Sequence, residues 1–181
     1  MPIALIVTII IVAVVFGAII LATYMKLVKL NSLINDAWAE ISFQSKRRAD
    51  LIPKLTDIIK KNLKNEKKLV EVFIDAEKKM AGARTMSVLI DADRKFTEAF
   101  SYLIMVSESN SKLKTDTDFQ QLISEFLDIE EKVQVARRAY NIYSEKNNAK
   151  LNSFPANLIN SLIGHFEIRQ YYELDKPKKK R

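Results

Sequence analysis

The start of this 181-residue chain constrains it most, because residues Ile3 to Thr23 contain no charged side chain. As an α-helix these 21 residues would be about 31 Å long, which matches a bilayer core of about 30 Å. A cleaved signal peptide would need a positively charged leading region, a shorter apolar stretch and a small-residue cleavage site. Only Met1 and Pro2 precede the apolar run. The pattern therefore predicts a retained transmembrane anchor over residues 1–25.

The residues around the anchor predict its orientation. Tyr24 is placed for the membrane interface, and Lys26 and Lys29 follow just beyond it. Because these charges lie on the C-terminal side, the positive-inside rule predicts a single-pass cell-membrane protein with its N-terminus outside and the rest of the chain in the cytoplasm. Within the anchor, Ala13 and Gly17 form a small-xxx-small pair that would permit close packing of two such helices.

The remaining composition favours long helices in one domain of about 155 residues, large enough for its own core. Only three glycines and four prolines occur, which excludes an architecture with many tight turns, and the absence of cysteine excludes disulfides. The net charge of +7 is concentrated at the end of the chain. Five positive charges lie in the terminal tail, at Lys176, Lys178, Lys179, Lys180 and Arg181.

Apolar residues recur at alternating three- and four-residue steps, which is the spacing of coiled-coil helix faces. The first helix is expected to continue from the anchor without a break, since no glycine or proline lies between Thr23 and Arg48. Pro53 predicts a kink near residues 50–53, after which the helix resumes to about Leu63. A second face covers residues 69–103 and is interrupted at 82–85, so it is one bent helix or two short ones.

Two further helices are expected after a polar loop at 107–116. Thr117 and Gln120 form a capping box for the third helix, which reaches Leu151. Pro155 fits the first turn of a fourth helix. One apolar face of that helix carries Leu158, Ile159, Leu162 and Phe166.

These elements predict an all-α protein in which one N-terminal transmembrane helix continues into an antiparallel up-down bundle of about four helices. The predicted division is an anchor at 1–25, the bundle at 26–173 and a basic tail at 174–181.

Polar residues replace apolar ones at two core positions of the first helix, Gln44 and Arg48. Polar groups in a core need partners, and the third helix offers some beside its apolar face. Such a layer either forms a pocket that binds a small ligand or fixes the register of the helices, and structural ion pairs commonly do the latter. The candidate buried polar layer comprises Gln44, Arg48, Asp50, Glu130, Arg137, Tyr140 and Asn141.

No catalytic constellation is found, and the sequence predicts a non-enzyme without cofactor or metal. His165 is the only histidine, which excludes an HExxH pair, and the isolated glycines exclude a phosphate-binding loop. The basic tail, together with Lys26 and Lys29, is a candidate contact for lipid or a partner, or a solvated terminus. The membrane anchor argues against a nuclear localisation signal, and no nucleic-acid partner is expected.

Three ordered motifs resemble the LemA family. They are Trp38-Ala39-Glu40-Ile41 with the basic run at 46–55, the block Val135 to Asn141, and Asn148 six residues before Phe154-Pro155. The resemblance implies a helical bundle on the cytoplasmic side of a bacterial or archaeal membrane, without established enzymatic activity. Members of this family are often encoded beside an HtpX-type membrane metalloprotease, and some relatives take part in building magnetosome membranes.

Three functions are compatible with these features. The first is a membrane scaffold that contacts lipids and forms a homo-oligomer. The second is an adaptor or regulator of a membrane metalloprotease. The third is a helical bundle that senses a small ligand through the polar layer.

Overall fold

The computed structural model describes residues 2–63, 65–163 and 165–173, and all regular structure in these ranges is helical. The predicted all-α helical fold is confirmed. The described helices are α1 (Pro2–Asn62), α2 (Lys67–Ala81), α3 (Met86–Ser109), α4 (Ser111–Thr115), α5 (Thr117–Leu151) and α6 (Ala156–Ile163).

Helix α1 joins the apolar anchor to the rest of the chain without a break, as the sequence predicted. It continues through Pro53 and ends at Asn62. Except for the half-buried Ile20, the large apolar side chains between Ile3 and Leu21 are exposed. Helix α1 is the one helix in the described ranges long and apolar enough to cross a membrane.

The chain divides into two compact units. The described part of the first unit comprises residues 2–37, 138–163 and 165–171, and that of the second comprises 38–63, 65–137 and 172–173. Helices α1 and α5 contribute residues to both units. The predicted division, with an anchor at 1–25 and one bundle at 26–173, uses different bounds and stays a prediction.

The first unit has a small core next to the anchor. Leu27, Leu151 and Ala156 are buried together, and Phe166 packs against them. The segment after α6 is held by Asn148, whose side-chain amide donates to the Arg169 carbonyl at 2.9 Å and accepts from the Arg169 N–H at 2.8 Å.

The second unit contains an antiparallel pair, α2 and α3. Late residues of α2 lie beside early residues of α3, since Lys79 pairs with Asp91 at 4.0 Å. At the other end of the pair, the Tyr102 hydroxyl donates to Glu66, just before α2, at 3.3 Å. Four phenylalanine rings form the centre of the unit's core, with centroids 5.3 to 5.5 Å apart: Phe73, Phe96, Phe100 and Phe126.

Two local predictions are wrong. The polar stretch at 107–116 is not a loop, because α3 extends to Ser109 and α4 follows. The fully buried Leu113 holds α4 against the core, and the Asn110 side chain caps its first turn. The cap of α5 is Asp116, one residue before the predicted Thr117, since its carboxylate accepts the Phe119 N–H at 3.0 Å.

The fourth predicted helix is shorter than expected. Helix α6 ends at Ile163, and residues 165–173 follow without regular secondary structure. Of its predicted apolar face, Ile159 is buried whereas Leu158 and Leu162 are exposed.

Candidate functional site: a buried ion cluster

The second unit buries an ion cluster formed by Arg48, Asp93, Glu130, Arg137 and Tyr172. Arg48 lies on the core face of α1, and Asp93 lies on the core face of α3 between Leu89 and Phe96. Each residue therefore enters the core because helical periodicity places it there. Both side chains are completely buried.

Arg48 uses both ends of its guanidinium group. Its Nη1 donates to Asp93 Oδ1 at 2.5 Å, and its Nη2 donates to Glu130 Oε2. The guanidinium carbon also lies 4.8 Å from the centroid of the Phe96 ring. A planar cation in this position is stabilised by two carboxylates and by the ring face.

Arg137 approaches the same two carboxylates from α5. Its Nη2 donates to Asp93 Oδ2, and its Nη1 lies 3.7 Å from Glu130 Oε1. Its guanidinium carbon is 5.1 Å from the centroid of the Tyr172 ring.

Tyr172 completes the cluster from the segment beyond α6. Its hydroxyl donates to Asp93 Oδ2 at 2.8 Å, and the side chain is buried. Burial, followed by the negative charge of Asp93, raises the pKa of the Tyr172 hydroxyl well above its usual value near 10. The folded state thus retains this proton at a pH where the unfolded chain releases it, so the stability due to Tyr172 is complete below about pH 10 and declines above it.

Asp93 is the centre of the cluster, because it accepts from Arg48, Arg137 and Tyr172. The two arginines and the two acidic residues carry formal charges that balance. The polar groups mainly satisfy one another, and among the described side chains of the cluster only the two arginine Nε atoms have no hydrogen-bond partner. This pattern favours the register-fixing interpretation over a ligand pocket, since a pocket would direct unpaired polar groups toward a cavity.

The predicted polar layer is only partly assembled here. The structure brings Arg48, Glu130 and Arg137 together, but Asp50 is exposed to solvent and does not belong to a buried layer. Tyr140 is buried and Asn141 half-buried, and both are residues of the first unit.

Gln44 is buried but pairs locally. Its amide donates to Glu40 at 2.7 Å and accepts from Arg47 at 3.2 Å, both within α1. It therefore satisfies its own hydrogen bonds without joining the cluster.

Sequence reasoning missed Asp93 and Tyr172. Asp93 could have been found, because it lies four residues after Leu89 and three before Phe96, on the apolar face of the second predicted helical segment. Tyr172 gave no such signal, since it follows a segment without helical periodicity.

The other predicted contact residues are placed as follows. Lys26 and Lys29 are exposed, as are Ala13 and Gly17 in the anchor. The basic tail with Lys176, Lys178, Lys179, Lys180 and Arg181 lies outside the described residues. In the described ranges, no group of three or more acidic, histidine or cysteine side chains is arranged to hold a metal ion.

Comparison with known proteins supports the resemblance in the motifs. The model of the LemA family matches residues 37–181. None of the curated proteins compared with the chain matches it.

Proposed function

Since the chain belongs to the LemA family, we propose that it is a non-enzymatic interaction protein that is anchored in a prokaryotic cell membrane and assembles with copies of itself. Helix α1 carries this proposal. Its first part exposes a continuous apolar surface, and its later part lies in the core of the second unit. One helix thus connects a membrane-compatible segment directly to a folded helical unit.

The apolar part of α1 favours lipid over water. Fourteen Ile, Leu, Val and Phe residues occur between Ile3 and Leu21. At about 0.3–0.6 kcal/mol each near the centre of a membrane helix, they contribute on the order of 4–8 kcal/mol to insertion. Lys26 and Lys29 favour an orientation with the second unit in the cytoplasm.

Self-assembly is supported by apolar side chains that the second unit leaves exposed. Leu127 is 54% exposed and Val135 is 60% exposed, both on α5. Large apolar side chains on a helix surface outside a membrane segment are typical of protein contacts when they recur along one element. We propose α5 as the face through which copies associate.

The test is the mass of the full-length protein in mild detergent and in nanodiscs. We expect a discrete oligomer, and we expect Leu127→Lys combined with Val135→Lys to reduce its mass toward that of the monomer. Gln121→Lys is the matched control, because it places the same charge at an exposed polar position of α5 and should leave the assembly unchanged. A monomeric wild-type protein would contradict self-assembly.

A second candidate function is that of an adaptor for a membrane metalloprotease. It is favoured by an open groove of about 830 Å³ between α2 and α3. Leu69, Val72 and Tyr102 give the groove apolar surface. Its charge is negative overall, because four carboxylates outnumber the two lysines in its lining: Glu66, Glu71, Asp75 and Glu98 against Lys68 and Lys95. This combination suits an apolar peptide segment with basic flanks.

The adaptor function predicts that a monomeric full-length protein co-purifies with such a protease from membranes. Val72→Lys should weaken this association, whereas Val88→Lys, a comparable exposed valine outside the groove lining, should not. Equal association of both variants would exclude the groove as the docking surface.

A further inference from the structure

The first unit has an uncharged stretch besides the anchor. Residues Leu151 to Gly164 contain no charged side chain over 14 positions. Within this stretch three large apolar side chains face outward: Phe154 is 68% exposed, Leu158 47% and Leu162 79%. Leu158 and Leu162 are four residues apart and therefore share a face of α6. Within the described residues, the unit leaves this face largely open.

Helix α6 lies directly beside the apolar half of α1. A cavity of about 100 Å³ separates the two helices, and every side chain around it is apolar. Phe16 and Ile20 line it from the anchor. On the other side it is lined by Pro155, Leu158, Ile159 and Leu162.

The contacts after α6 fix its position along α1. The rings of Tyr24 and Phe166 pack edge to face with centroids 5.8 Å apart, and Arg169 Nη2 donates to Asn31 Oδ1 at 2.6 Å. Three extended residues from Phe166 to Arg169 cover about 10 Å, and so do seven helical residues from Tyr24 to Asn31. The segment after α6 therefore follows α1 away from the anchor. The part of α6 from Leu158 to Leu162, which lines the cavity with Phe16 and Ile20, lies on the anchor side of Tyr24.

This position corresponds to a depth in the membrane. Ile20 and Phe16 precede Tyr24 by four and eight residues, which is about 6 and 12 Å along the helix. If Tyr24 marks the interface, α6 lies within one leaflet of a hydrocarbon core about 30 Å thick. With eight residues it is about 12 Å long and too short to cross that core.

Two of the three polar side chains of α6, Asn160 and Ser161, bond to the chain's own backbone, which is what lipid requires of polar groups. The third, Asn157, is exposed and accepts the Leu158 N–H at 2.7 Å. The Asn160 amide donates to the Phe166 carbonyl at 3.0 Å and accepts the Phe166 N–H at 3.1 Å. The Ser161 hydroxyl donates to the Leu158 carbonyl at 2.7 Å.

We propose that α6 is a second membrane-inserted element, lying in the leaflet next to Tyr24 with Leu158 and Leu162 against lipid acyl chains. This inference rests on the proposed membrane anchoring of α1. Lipid is the occupant because the exposed face of α6 is continuous with the surface of Phe16 and Ile20, which acyl chains surround wherever the anchor spans a bilayer. The chain is thus held in the membrane by two elements, the spanning part of α1 and α6 within one leaflet.

The chain has no cysteine, so single cysteines can be introduced and labelled with an environment-sensitive fluorophore. The full-length variants Leu162→Cys, Val12→Cys and Met105→Cys would be compared in phosphatidylcholine nanodiscs. Val12 reports on the anchor, and Met105 is an exposed apolar position of the second unit. Nanodiscs containing phosphatidylcholine with a doxyl quencher near the headgroup or near the end of the acyl chain would then report the depth of each label.

We expect the label at Leu162 to show the blue-shifted emission of an apolar environment and to be quenched by the doxyl lipids. Its depth should be shallower than that of the Val12 label, and the Met105 label should show neither effect. An aqueous Leu162 label beside a quenched Val12 label would overturn the inference and leave the anchor intact. A blue-shifted Leu162 label without quenching would show that protein, not lipid, covers this face of α6, and would also overturn the inference. If the Val12 label is not quenched, the proposed anchoring itself fails.

Discussion

Replacing Asp93 with asparagine tests whether the buried ion cluster is a structural necessity. The change keeps the shape of the side chain but leaves Arg48, Arg137 and Glu130 with an unbalanced positive charge in a site where Asp93 is completely buried. Removing one partner from a buried ion pair costs about 3–5 kcal/mol. For a chain of this length 1 kcal/mol corresponds to about 2–4 °C, so Tm should fall by about 6–20 °C.

Asp91→Asn is the matched control for this experiment. Asp91 lies on the same helix, is 40% exposed, and pairs with Arg94 at 2.7 Å and Lys95 at 3.3 Å. Exposed ion pairs contribute about 0–1 kcal/mol, so its Tm should change by less than about 4 °C. Thermal unfolding of the full-length proteins in mild detergent, monitored by circular dichroism, gives the Tm of both variants and of the wild type. Equal losses in the two variants would refute the structural role of the cluster.

Three further predictions concern Tyr172 in the cluster, Asn148 in the first unit and Phe126 in the core of the second unit. Tyr172→Phe should lower the free energy of unfolding by about 1.5–3 kcal/mol at neutral pH, because the hydrogen bond to Asp93 is lost. When unfolding is measured at several pH values, this difference in stability between wild type and variant should shrink above about pH 10, by up to about 1.4 kcal/mol per pH unit. Asn148→Ala removes both hydrogen bonds to the Arg169 backbone, so hydrogen exchange should accelerate in residues 165–173, and unchanged protection would contradict this role. Phe126→Ala should cost about 3–5 kcal/mol in urea unfolding, because its ring is buried among other aromatic rings, and a loss below about 1 kcal/mol would be inconsistent with that packing.

Helical periodicity predicted most of the fold because each helix carries its own pattern of apolar residues. The anchor, the unbroken α1 and the end of α5 at Leu151 all follow from residues close together in sequence. The errors arose where tertiary contacts override local preference. The burial of Leu113 stabilises helix α4 in a polar stretch that was predicted to be a loop. The hydrogen bonds between the Asn160 amide and the Phe166 backbone accompany the end of α6 at Ile163, earlier than predicted.

The ion cluster was predictable only in part. A polar residue at a core position, such as Arg48, can be recognised from spacing alone, but spacing does not identify its partner. Asp93 lies 45 positions after Arg48 in the sequence, and Tyr172 lies 79 positions after Asp93. Their meeting depends on how the helices and the final segment pack, and a single sequence contains no direct record of such distant pairs.

The cluster discriminates between alignments of α3 with α1 and α5 that apolar packing in the second unit alone would tolerate. A shift of α3 by one turn, about 5.4 Å, would still place apolar residues such as Leu89 and Phe96 against other apolar residues. The same shift would move Asp93 away from Arg48 and Arg137 and leave two guanidinium groups buried with too few acceptors. Because an unpaired buried charge costs several kcal/mol, alternative alignments are penalised far more than hydrophobic contacts alone would penalise them. We therefore expect Asp93 to act chiefly by excluding wrong alignments of α3 with α1 and α5, even if an apolar core of equal volume would be as stable.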